Sequence, residues 1–474
     1  MSDRNQGSGG RPSRAPRQQQ RVQPARLVAY EVISAVRESD AYVNLLLPAR
    51  IKRAGLSAAD AALATELSYG TLRMRGFYDR VIELVADRTV DKIDPAVLDV
   101  LRLGAHQLLA TRVATHAAVN ESVALASQVA SRSATGFTNG VLRTISRSSL
   151  EEWRGWVQDE TDGDDEKLAV LHSHPAWVLR ALRNALEAEG RGEELEQLLE
   201  ADNAAPKVNL VALPGLVSAT DAAALGTPNR YSPVGHELAG GDPIALTERF
   251  GGTVRVQDEG SQLAALALSR AQPISAGERW LDLCAGPGGK SALLAAEARV
   301  GKASLVANEL VPARAGLVRK ALAGVPGDVP VWELDGTTIA DAHAEEFDRI
   351  LLDAPCTGLG ALRRRPEARW RKSPNDVAEL SVLQGKLFDA AFGALKPGGI
   401  LAYVTCSPHL GETVGTVNGA MARWGSALEQ VQTRDILNDL AAEPMDIGGD
   451  GLTAQLWPHR HGTDAMFIAL FRKL

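Results

Sequence analysis

The stretch Trp280-Leu-Asp-Leu-Cys-Ala-Gly-Pro-Gly-Gly-Lys-Ser291 decides how the C-terminal half of the chain folds. Its apolar start, residues 280–283, predicts a strand. The glycines within residues 286–289 predict a turn, and a helix is expected to begin at Lys290 or Ser291. Glycine lets the backbone pass close to a ligand, and a helix start offers free N–H groups. A strand, a glycine-rich turn and a helix in this order are typical of a nucleotide-type cofactor site.

The end of the same stretch also looks like a phosphate-binding P-loop. Gly289, Lys290 and Ser291 match the last three positions of that motif, which also requires a glycine five residues before Gly289. The chain has Cys284 at that place. The sequence therefore disfavours a P-loop and leaves the cofactor site as the better interpretation.

Three apolar runs after the turn each end in an acidic residue, namely Glu309, Asp335 and Asp353. The runs predict further strands, and the carboxyl ends of parallel strands meet at one edge of a sheet, so we expect one cleft. Glu309 follows the turn at about the spacing expected for a carboxylate that holds a ribose diol. A single acid at a strand end often only caps a solvated loop, but three after a glycine-rich turn favour a cleft.

Length and composition limit the classes of protein to which the chain can belong. At 474 residues it is too long for one ordinary core, and 45% hydrophobic with 23% charged residues is ordinary for a globular protein. No apolar run is long enough to span a bilayer, and the Arg-rich N-terminus lacks the apolar segment of a signal peptide. We therefore expect two or three domains, a cytoplasmic location and no membrane association.

The cysteines are few, Cys284, Cys356 and Cys406, and none forms a CxxC pair, so neither a disulfide framework nor a metal site is expected. Cys356 and Cys406 each follow a predicted strand, in Asp353-Ala-Pro-Cys356 and Thr405-Cys406-Ser407. A cysteine in such a domain is usually buried filler. The placement at the edge of the cleft instead favours a chemical role for at least one of them.

Changes in composition along the chain predict five segments. These are a disordered Arg-rich tail (1–23), a helical domain (24–147), an acidic solvated linker (148–168), a small α+β module (169–249) and an α/β cofactor domain (250–474). Within the helical domain, Ser57-Ala-Ala-Asp60 and Asp94-Pro95 predict helix starts, because their side chains can cap free N–H groups.

The net charge of −7 argues against a protein that is basic all over, but local basic stripes can still bind RNA. One stripe is the N-terminal tail, for which a merely solvated role is equally expected. The second stripe contains Arg363, Arg364, Arg365 and Arg369 and follows the fourth predicted strand. Because this stripe is expected beside the cleft, we predict that these arginines contact RNA.

The cofactor turn and the two cysteines together favour one chemistry. A sulfonium donor, S-adenosylmethionine, suits the turn and the acids. A nicotinamide also suits the turn but leaves the cysteines without a clear role. A thiolate that adds to carbon 6 of cytosine makes carbon 5 nucleophilic enough to take a methyl group. This chemistry needs an unstacked base, which RNA can offer.

Three motifs resemble those of RNA cytosine-5 methyltransferases of the NOL1/NOP2/Sun family: Asp282-Leu-Cys-Ala-Gly-Pro-Gly-Gly-Lys-Ser, Asp353-Ala-Pro-Cys-Thr-Gly-Leu-Gly and Val404-Thr-Cys-Ser. Upstream, Val119-Asn-Glu-Ser-Val-Ala-Leu-Ala126 and Gly136-Phe-Thr-Asn-Gly-Val-Leu-Arg143 resemble the NusB-type RNA-binding domain. The resemblance implies an all-α NusB-like N-terminal domain, a small α+β RNA-binding module and an α/β Rossmann-like S-adenosylmethionine-dependent methyltransferase domain.

The same resemblance implies a role for each site residue. Cys406 would be the nucleophile, Cys356 would assist product release, and Asp353 would lie between donor and target. The donor-binding residues that it implies are Cys284, Ala285, Gly286, Pro287, Gly288, Gly289, Lys290, Glu309 at the ribose, Asp335 at the adenine, and Asp353. The residues alone leave Cys356 and Cys406 equivalent, so Cys356 as the nucleophile stays open.

The activity implied by the resemblance is methylation of carbon 5 of a cytosine in 16S small-subunit ribosomal RNA through a covalent cysteine–C6 adduct. The implied partner is that RNA, unassembled or partly assembled, and we expect the protein to be a monomer. Two alternatives remain open. One is a tRNA cytosine-5 methyltransferase, and the other is a non-catalytic NusB-like RNA-binding factor.

Overall fold

The computed structural model describes residues 22–39, 41–449 and 451–474, with Arg132 described without its side chain. Residues 1–21 of the Arg-rich tail, predicted to be disordered, lie outside these ranges. The described chain divides into two compact units. One comprises the residues up to Thr71 together with Tyr78–Trp153, and the other comprises Leu72–Phe77 together with Arg154–Leu474.

The N-terminal region is helical, as the apolar spacing predicts. Its helices are α1 (Pro24–Glu38), α2 (Val43–Ala54), α3 (Ala58–Arg73), α4 (Arg75–Ala86), α5 (Pro95–Ala110), α6 (Thr115–Val129) and α7 (Arg132–Ile145). The Asp94 carboxylate accepts from the N–H groups of Ala96 at 3.0 Å and Val97 at 3.1 Å, and Ser57 Oγ accepts from Asp60 N–H at 3.2 Å. These caps satisfy donors that a helix start leaves unpaired, in agreement with the sequence-based prediction.

The acidic segment 148–168, predicted to be a solvated linker, is built from helix instead. It contains α8 (Leu150–Asp159) and the start of α9 (Asp164–Leu171). Ser149 N–H donates to the Glu152 carboxylate at 2.7 Å, and Glu152 N–H donates back to Ser149 Oγ at 3.3 Å. Trp153 and Val157, four residues apart on one helix face, are buried. The high acidic content hides this short apolar stripe.

The small α+β module follows. Its elements are α10 (Ala176–Glu187), α11 (Leu195–Asn203), β1 (Asn209–Ala212), α12 (Ala219–Ala223), β2 (Gly226–Pro228), β3 (Gly235–Leu238), α13 (Pro243–Arg249) and β4 (Val254–Val256). The strands form an antiparallel sheet in the order β2-β3-β1-β4, with Leu210 opposite Val256. The module therefore includes β4, which lies beyond the boundary at residue 249 predicted from composition.

The C-terminal domain is a doubly wound α/β fold. Its elements are α14 (Glu259–Ser269), β5 (Arg279–Asp282), α15 (Gly289–Val300), β6 (Ser304–Asn308), α16 (Pro312–Leu322), β7 (Val331–Trp332), α17 (Ile339–His343), β8 (Phe347–Asp353), α18 (Ala368–Arg371), α19 (Pro374–Ala394), β9 (Leu395–Thr405), α20 (Val414–Trp424), β10 (Leu428–Val431), α21 (Thr433–Leu440), β11 (Ala454–Gln455), α22 (Pro458–His461) and β12 (Phe467–Lys473).

The strand order of this sheet is β10-β12-β9-β8-β5-β6-β7, with β11 paired to β12. Strands β5 to β9 are parallel, and β12 runs antiparallel to β9. From β5 the chain builds first towards β7 and then, through β8, to the other side. The strand order thus reverses between β5 and β8, the place where open α/β sheets bind ligands.

Both faces of this sheet are covered, because successive side chains along a strand point to opposite faces. Trp280 and Leu351 belong to the apolar core on one face, with α14 and α15. Leu281 and Leu352 belong to the core on the other face, with α19. The central strands therefore place apolar side chains on both faces of the sheet, which is typical of a buried parallel sheet.

Across the described ranges, no helix combines the length and the apolar character that crossing a bilayer requires.

Candidate active site

The glycine-rich turn joins β5 to α15 at the point where the strand order reverses. Gly288 has a φ of +100°, and a Cβ added there would lie 2.5 Å from the Cβ of Ala321, so glycine is required. The Gly288 N–H donates to the Ala285 carbonyl at 2.7 Å, which closes the turn. Because α15 begins at Gly289, the unpaired N–H groups of its first turn lie at the same edge of the sheet.

Glu309 follows β6 and lies against this turn. Its carboxylate accepts hydrogen bonds from the Gly286 N–H at 3.1 Å and the Val311 N–H at 3.0 Å. Arg314 donates to the Gly286 carbonyl at 2.8 Å and lies 3.4 Å from the Glu309 carboxylate. A carboxylate offers about four acceptor positions, so Glu309 can also accept from a ligand hydroxyl.

Asn308, the last residue of β6, is a site-forming residue that the sequence analysis misses. Its amide nitrogen donates to the carbonyls of Leu283 and Leu334, both at 3.1 Å, and its oxygen accepts from the Leu334 N–H at 3.0 Å. It thereby joins the segments after β5 and β7. This link also explains why β7 ends at Trp332, whereas the sequence predicts a strand as far as Asp335. An amide side chain at a buried strand end is the signal that could have revealed it.

Two more carboxylates lie at strand ends on this edge. Asp282 ends β5 and accepts from Ser291 Oγ at 2.6 Å, and its Oδ1 has no hydrogen-bond partner among the described residues. Burial raises the pKa of Asp282 to about 7. Asp335 follows β7, is exposed, and accepts from the Thr337 N–H at 2.9 Å.

The acceptor groups at this edge of the sheet fit S-adenosylmethionine. Glu309 and Asp335 offer acceptors for a ribose diol and an adenine, and the unpaired oxygen of Asp282 is an acceptor for a cationic group. Carboxylates at three neighbouring strand ends would repel a nucleotide phosphate, which agrees with the rejection of a P-loop from the sequence. The residues present can therefore hold a cationic, ribose-containing cofactor.

Cys356 and Cys406 lie side by side at the carboxyl ends of β8 and β9. Their Sγ atoms are 3.5 Å apart, and both residues are partly exposed. The register of the parallel strands explains the proximity, because Asp353 pairs with Val404 and each cysteine follows shortly after its strand. The carbonyl of Cys406 accepts from the Gly360 N–H at 2.8 Å, which fixes the loop after β8 against it.

An ion pair connects the glycine-rich turn with the cysteine edge of the cleft. Lys290 Nζ lies 2.8 Å from Asp353 Oδ2. Lys290 starts α15 next to the turn, whereas Asp353 ends β8. The resemblance assigns Lys290 to donor binding, and the structure gives it a contact on the side of the cleft that holds the cysteines.

The surroundings of the two thiols favour different protonation states. The hydrogen bond with Cys356 lowers the pKa of Cys406, and the cations Arg365 and Lys290 lower it further, whereas burial and the charge of Asp353 oppose this shift. The hydrogen bond to Cys406, burial, and the charges of Glu412 and Asp353 raise the pKa of Cys356 well above its usual value. These directions favour Cys406 as the thiolate, with Cys356 neutral and able to donate a hydrogen bond to it.

The third cysteine, Cys284, lies in surroundings that disfavour a thiolate. Burial, with added repulsion from Asp282, Asp353 and Glu309, raises the pKa of the Cys284 thiol. A thiol held in its neutral form is a poor nucleophile. Cys284 therefore contributes to the turn through its backbone and packing.

The prediction that the arginine stripe contacts RNA is wrong for Arg363 and Arg369. Arg369 is 0% exposed and donates to the Ser173 carbonyl at 3.0 Å and to Asn203 Oδ1 at 2.9 Å. Arg363 is buried and donates to the Gly462 carbonyl at 3.0 Å. Guanidinium groups that bind carbonyls in the interior cannot reach a phosphate, and a run of arginines in sequence does not reveal which of them point inward.

The other two arginines of the stripe lie nearer to solvent. Arg364 is partly exposed and bridges Asp258 at 2.8 Å and Asp464 at 3.1 Å, so it connects the start of α14 with the segment before β12. Arg365 is exposed, and its charge acts on Cys406. Of the four arginines, Arg365 therefore presents its charge both to the site and to solvent.

Comparison with known proteins finds relatives along nearly the whole chain. A putative methyltransferase of Mycobacterium tuberculosis is 47% identical over 467 residues, covering 98% of this chain and 99% of the relative. The ribosomal RNA small subunit methyltransferase B of Pseudomonas putida is 32% identical over 413 residues, covering 85% of this chain and 90% of the relative. Among solved structures, the crystal structure of PH0851 matches with a TM-score of 0.77 at 21% identity, over 96% of this chain and 100% of the other.

Two family models match consecutive parts of the chain. The NusB family model matches residues 23–147, and the 16S rRNA methyltransferase RsmB/F model matches residues 271–472. The fold and the site thus define a Rossmann-like methyltransferase with an N-terminal helical domain of the NusB type. With the relatives described above, these matches show that the chain belongs to the RsmB/F family of methyltransferases, and the fold class predicted from the sequence is confirmed.

Proposed function

We propose that this protein transfers a methyl group from S-adenosylmethionine to carbon 5 of a cytosine in small-subunit ribosomal RNA. The observation that carries the proposal is the cysteine pair, with Sγ atoms 3.5 Å apart, at the edge of the sheet that also holds the glycine-rich turn. The printed names of the relatives, which include ribosomal RNA small subunit methyltransferase B, supply the class of RNA. Methylation at carbon 5 of a pyrimidine such as cytosine needs a nucleophile that adds to carbon 6, and a cysteine thiolate can supply it.

Cys406 acts as the nucleophile in the first step. Its thiolate adds to carbon 6 of the cytosine, forming a C–S bond and moving the electron pair of the 5,6 double bond to carbon 5. Lys290 and Arg365 favour the thiolate because both are cations near the sulfur. Asp353, held by Lys290 at 2.8 Å, lies at the end of β8, where it can hydrogen-bond the edge of the base.

When bound, S-adenosylmethionine would supply an electrophilic methyl group to carbon 5, and its methyl–sulfur bond would break to leave S-adenosylhomocysteine. The product still carries the C–S bond at carbon 6 and the original proton at carbon 5. Loss of that proton restores the double bond and expels the Cys406 thiolate. Cys356, whose neutral thiol lies 3.5 Å from the Cys406 sulfur, can donate a hydrogen bond to the leaving thiolate and so assist product release.

The backbone of residues 284–290 and the carboxylates of Asp282, Glu309 and Asp335 hold the donor in this proposal. The turn leads into the start of α15, whose first N–H groups are unpaired within the helix, and the acids lie at the ends of β5, β6 and β7. Arg365 contacts a phosphate of the target strand. The base must leave its stack to reach the sulfur, which favours a single-stranded segment of RNA.

Mass spectrometry of nucleosides tests the proposal. The purified protein is incubated with S-adenosylmethionine and, separately, with naked 16S RNA, assembled small subunits and tRNA. We expect 5-methylcytosine at one position of 16S RNA, located by bisulfite sequencing, and none with the Cys406→Ala variant. Methylation of tRNA alone would reassign the substrate. Absence of 5-methylcytosine from every RNA would favour a non-catalytic RNA-binding role, for which the NusB match provides a rationale.

A further inference from the structure

A buried glutamate lies directly behind the two cysteine loops. Glu412 ends a short 3-10 turn, Leu410–Glu412, between β9 and α20, and is 0% exposed. A fully buried carboxylate is costly unless hydrogen bonds compensate for lost hydration. The partners that provide this compensation indicate what Glu412 does.

The donors to Glu412 come from the residues that follow each cysteine. Thr357 donates with its N–H at 2.7 Å and with its hydroxyl at 2.5 Å. Ser407 donates with its hydroxyl at 2.6 Å, and Gln384 Nε2 on α19 lies at 3.3 Å. These donors are all neutral groups. The Glu412 side chain therefore accepts hydrogen bonds from both loops, from the backbone and hydroxyl of Thr357 and from the hydroxyl of Ser407.

We propose that Glu412 is a positioning residue that holds the Cys356 and Cys406 loops at their working separation. The inference rests on the proposed function for its catalytic meaning, but the positioning itself is a property of the fold. Thr357 and Ser407 are 50 residues apart in sequence, and their hydroxyls, 3.1 Å apart, meet at the Glu412 carboxylate. Without it, each loop would lose a fixed anchor immediately after its cysteine.

Small displacements matter at this place. A misplacement of about 1 Å at a reacting group can lower a rate about 100-fold. The thiolate must meet carbon 6 of the base while the second thiol stays near enough to assist release. The charge of Glu412 also adds to the hydrogen bond and the burial that raise the pKa of Cys356, which keeps that thiol protonated.

Two substitutions separate the charge and contacts of Glu412 from its volume. In Glu412→Gln the amide oxygen can still accept from Thr357 N–H, and the amide nitrogen can donate to the hydroxyls of Thr357 and Ser407, so the link between the loops persists. Glu412→Leu fills similar space and removes every acceptor. Glu297→Leu is the matched control, because Glu297 is also a buried glutamate and accepts from Ser269 Oγ at 3.0 Å, but lies at the far end of α15.

The first measurement is the steady-state kinetics of methylation, which shows whether each substitution changes kcat or KM. Glu412→Leu is expected to lower kcat by about 100-fold while KM for RNA and Kd for S-adenosylmethionine change less than about twofold, because neither ligand contacts Glu412. Glu412→Gln should lose about tenfold or less. Glu297→Leu should keep kcat within about twofold, even if its melting temperature falls.

A second readout does not depend on activity. The chain has three cysteines, so Cys284→Ser leaves only the pair. Diamide oxidises two thiols to a disulfide and is itself reduced to the hydrazine, and the rate of this cross-link reports how often the two sulfurs meet. In the Cys284→Ser background, Glu412→Leu should slow the cross-link by about tenfold, and Glu412→Gln should restore most of the rate.

The outcomes distinguish this inference from the proposed function. An unchanged cross-linking rate and an unchanged kcat in Glu412→Leu would overturn the positioning role. A slowed cross-link in a protein whose wild type makes no 5-methylcytosine would support the positioning role and overturn the proposed function alone. An equal loss of kcat in Glu412→Leu and Glu297→Leu would also overturn the inference, since any buried glutamate would then have the same effect.

Discussion

The Sγ atoms of Cys356 and Cys406 lie 3.5 Å apart although 50 residues separate them in the chain. Strands β8 and β9 are parallel neighbours, and both cysteines follow their carboxyl ends. The hydrogen bond between the two thiols lowers the pKa of Cys406 and raises that of Cys356, and Arg365 and Lys290 lower the pKa of Cys406 further. These directions favour Cys406 as the thiolate, although the sequence leaves the two cysteines equivalent.

The roles proposed for the two cysteines predict a trapped adduct. In Cys356→Ala, the Cys406–RNA bond should still form, but its release should slow, so a covalent protein–RNA complex accumulates. It is measured as a slowly migrating band on a denaturing gel. The Cys356→Ala, Cys406→Ala double variant should give no band. A band from Cys406→Ala alone would mean that Cys356 is the nucleophile.

The charge of Arg365 predicts a change in the pH dependence of methylation. The rate should rise with pH as Cys406 loses its proton and level off above a pKa that lies below that of an ordinary thiol. Removal of a nearby cation raises that pKa, so in Arg365→Gln the inflection should move up by about 0.5 pH unit.

The matched control is Arg299→Gln, which makes the same charge change in the exposed last turn of α15, away from the turn and the cysteines. It should leave the inflection in place. An equal upward movement in both variants would indicate a general effect of net charge and would refute the local role of Arg365.

The backbone at Gly288 predicts a loss of both stability and donor affinity in Gly288→Ala. The substitution forces alanine to a φ of +100° and against Ala321, which should cost about 1–2 kcal/mol for the backbone alone. Calorimetric titration should show S-adenosylmethionine binding weakened by about tenfold or more, because the turn must shift.

Gly316→Ala provides the comparison. Gly316 lies in α16, and a Cβ there would meet nothing within 4 Å. That variant should be more stable by about 0.5–1 kcal/mol, since alanine favours helix, and should bind the donor normally. If both variants bound the donor like the wild type, the turn would not be the donor site.

The arginine stripe predicts opposite effects for two of its members. Arg369→Met should lower the free energy of unfolding by about 2–4 kcal/mol, because buried acceptors at Ser173 and Asn203 lose a charged donor. Arg365→Gln should lower it less than Arg369→Met does, because Arg365 is exposed and Arg369 is buried. Urea unfolding measures both.

For RNA binding, Arg365→Gln should have the larger effect and Arg369→Met the smaller one. Arg365→Gln should reduce the slope of log affinity against log salt by about 1, as expected for one lost phosphate contact, whereas folded Arg369→Met should keep the wild-type slope. A reduced slope in Arg369→Met with an unchanged slope in Arg365→Gln would contradict the placement of these side chains.

Much of the site could be predicted because its residues follow strands. The runs ending at Asp282 and Asp353 are apolar and short, and parallel strands bring their carboxyl ends to one edge of the sheet. The orientation of the arginine stripe and the fold of the acidic segment 148–168 were harder to predict. A run of charged residues in the sequence does not show which side chains point into the protein and which point to solvent. Arg369 is oriented inward by carbonyls from distant segments, and Trp153 and Val157 supply an apolar face that the surrounding acids obscure.

The sequence by itself determined the order of domains, the glycine-rich turn and the identity of the reactive groups, because these depend on local propensity and on the motifs themselves. Only the tertiary structure showed that the two thiols are in contact, that Arg365 is exposed while Arg369 is buried, and that Glu412 joins both cysteine loops. Those properties depend on distances between segments far apart in the chain, and electrostatic and hydrogen-bond energies are set by such distances.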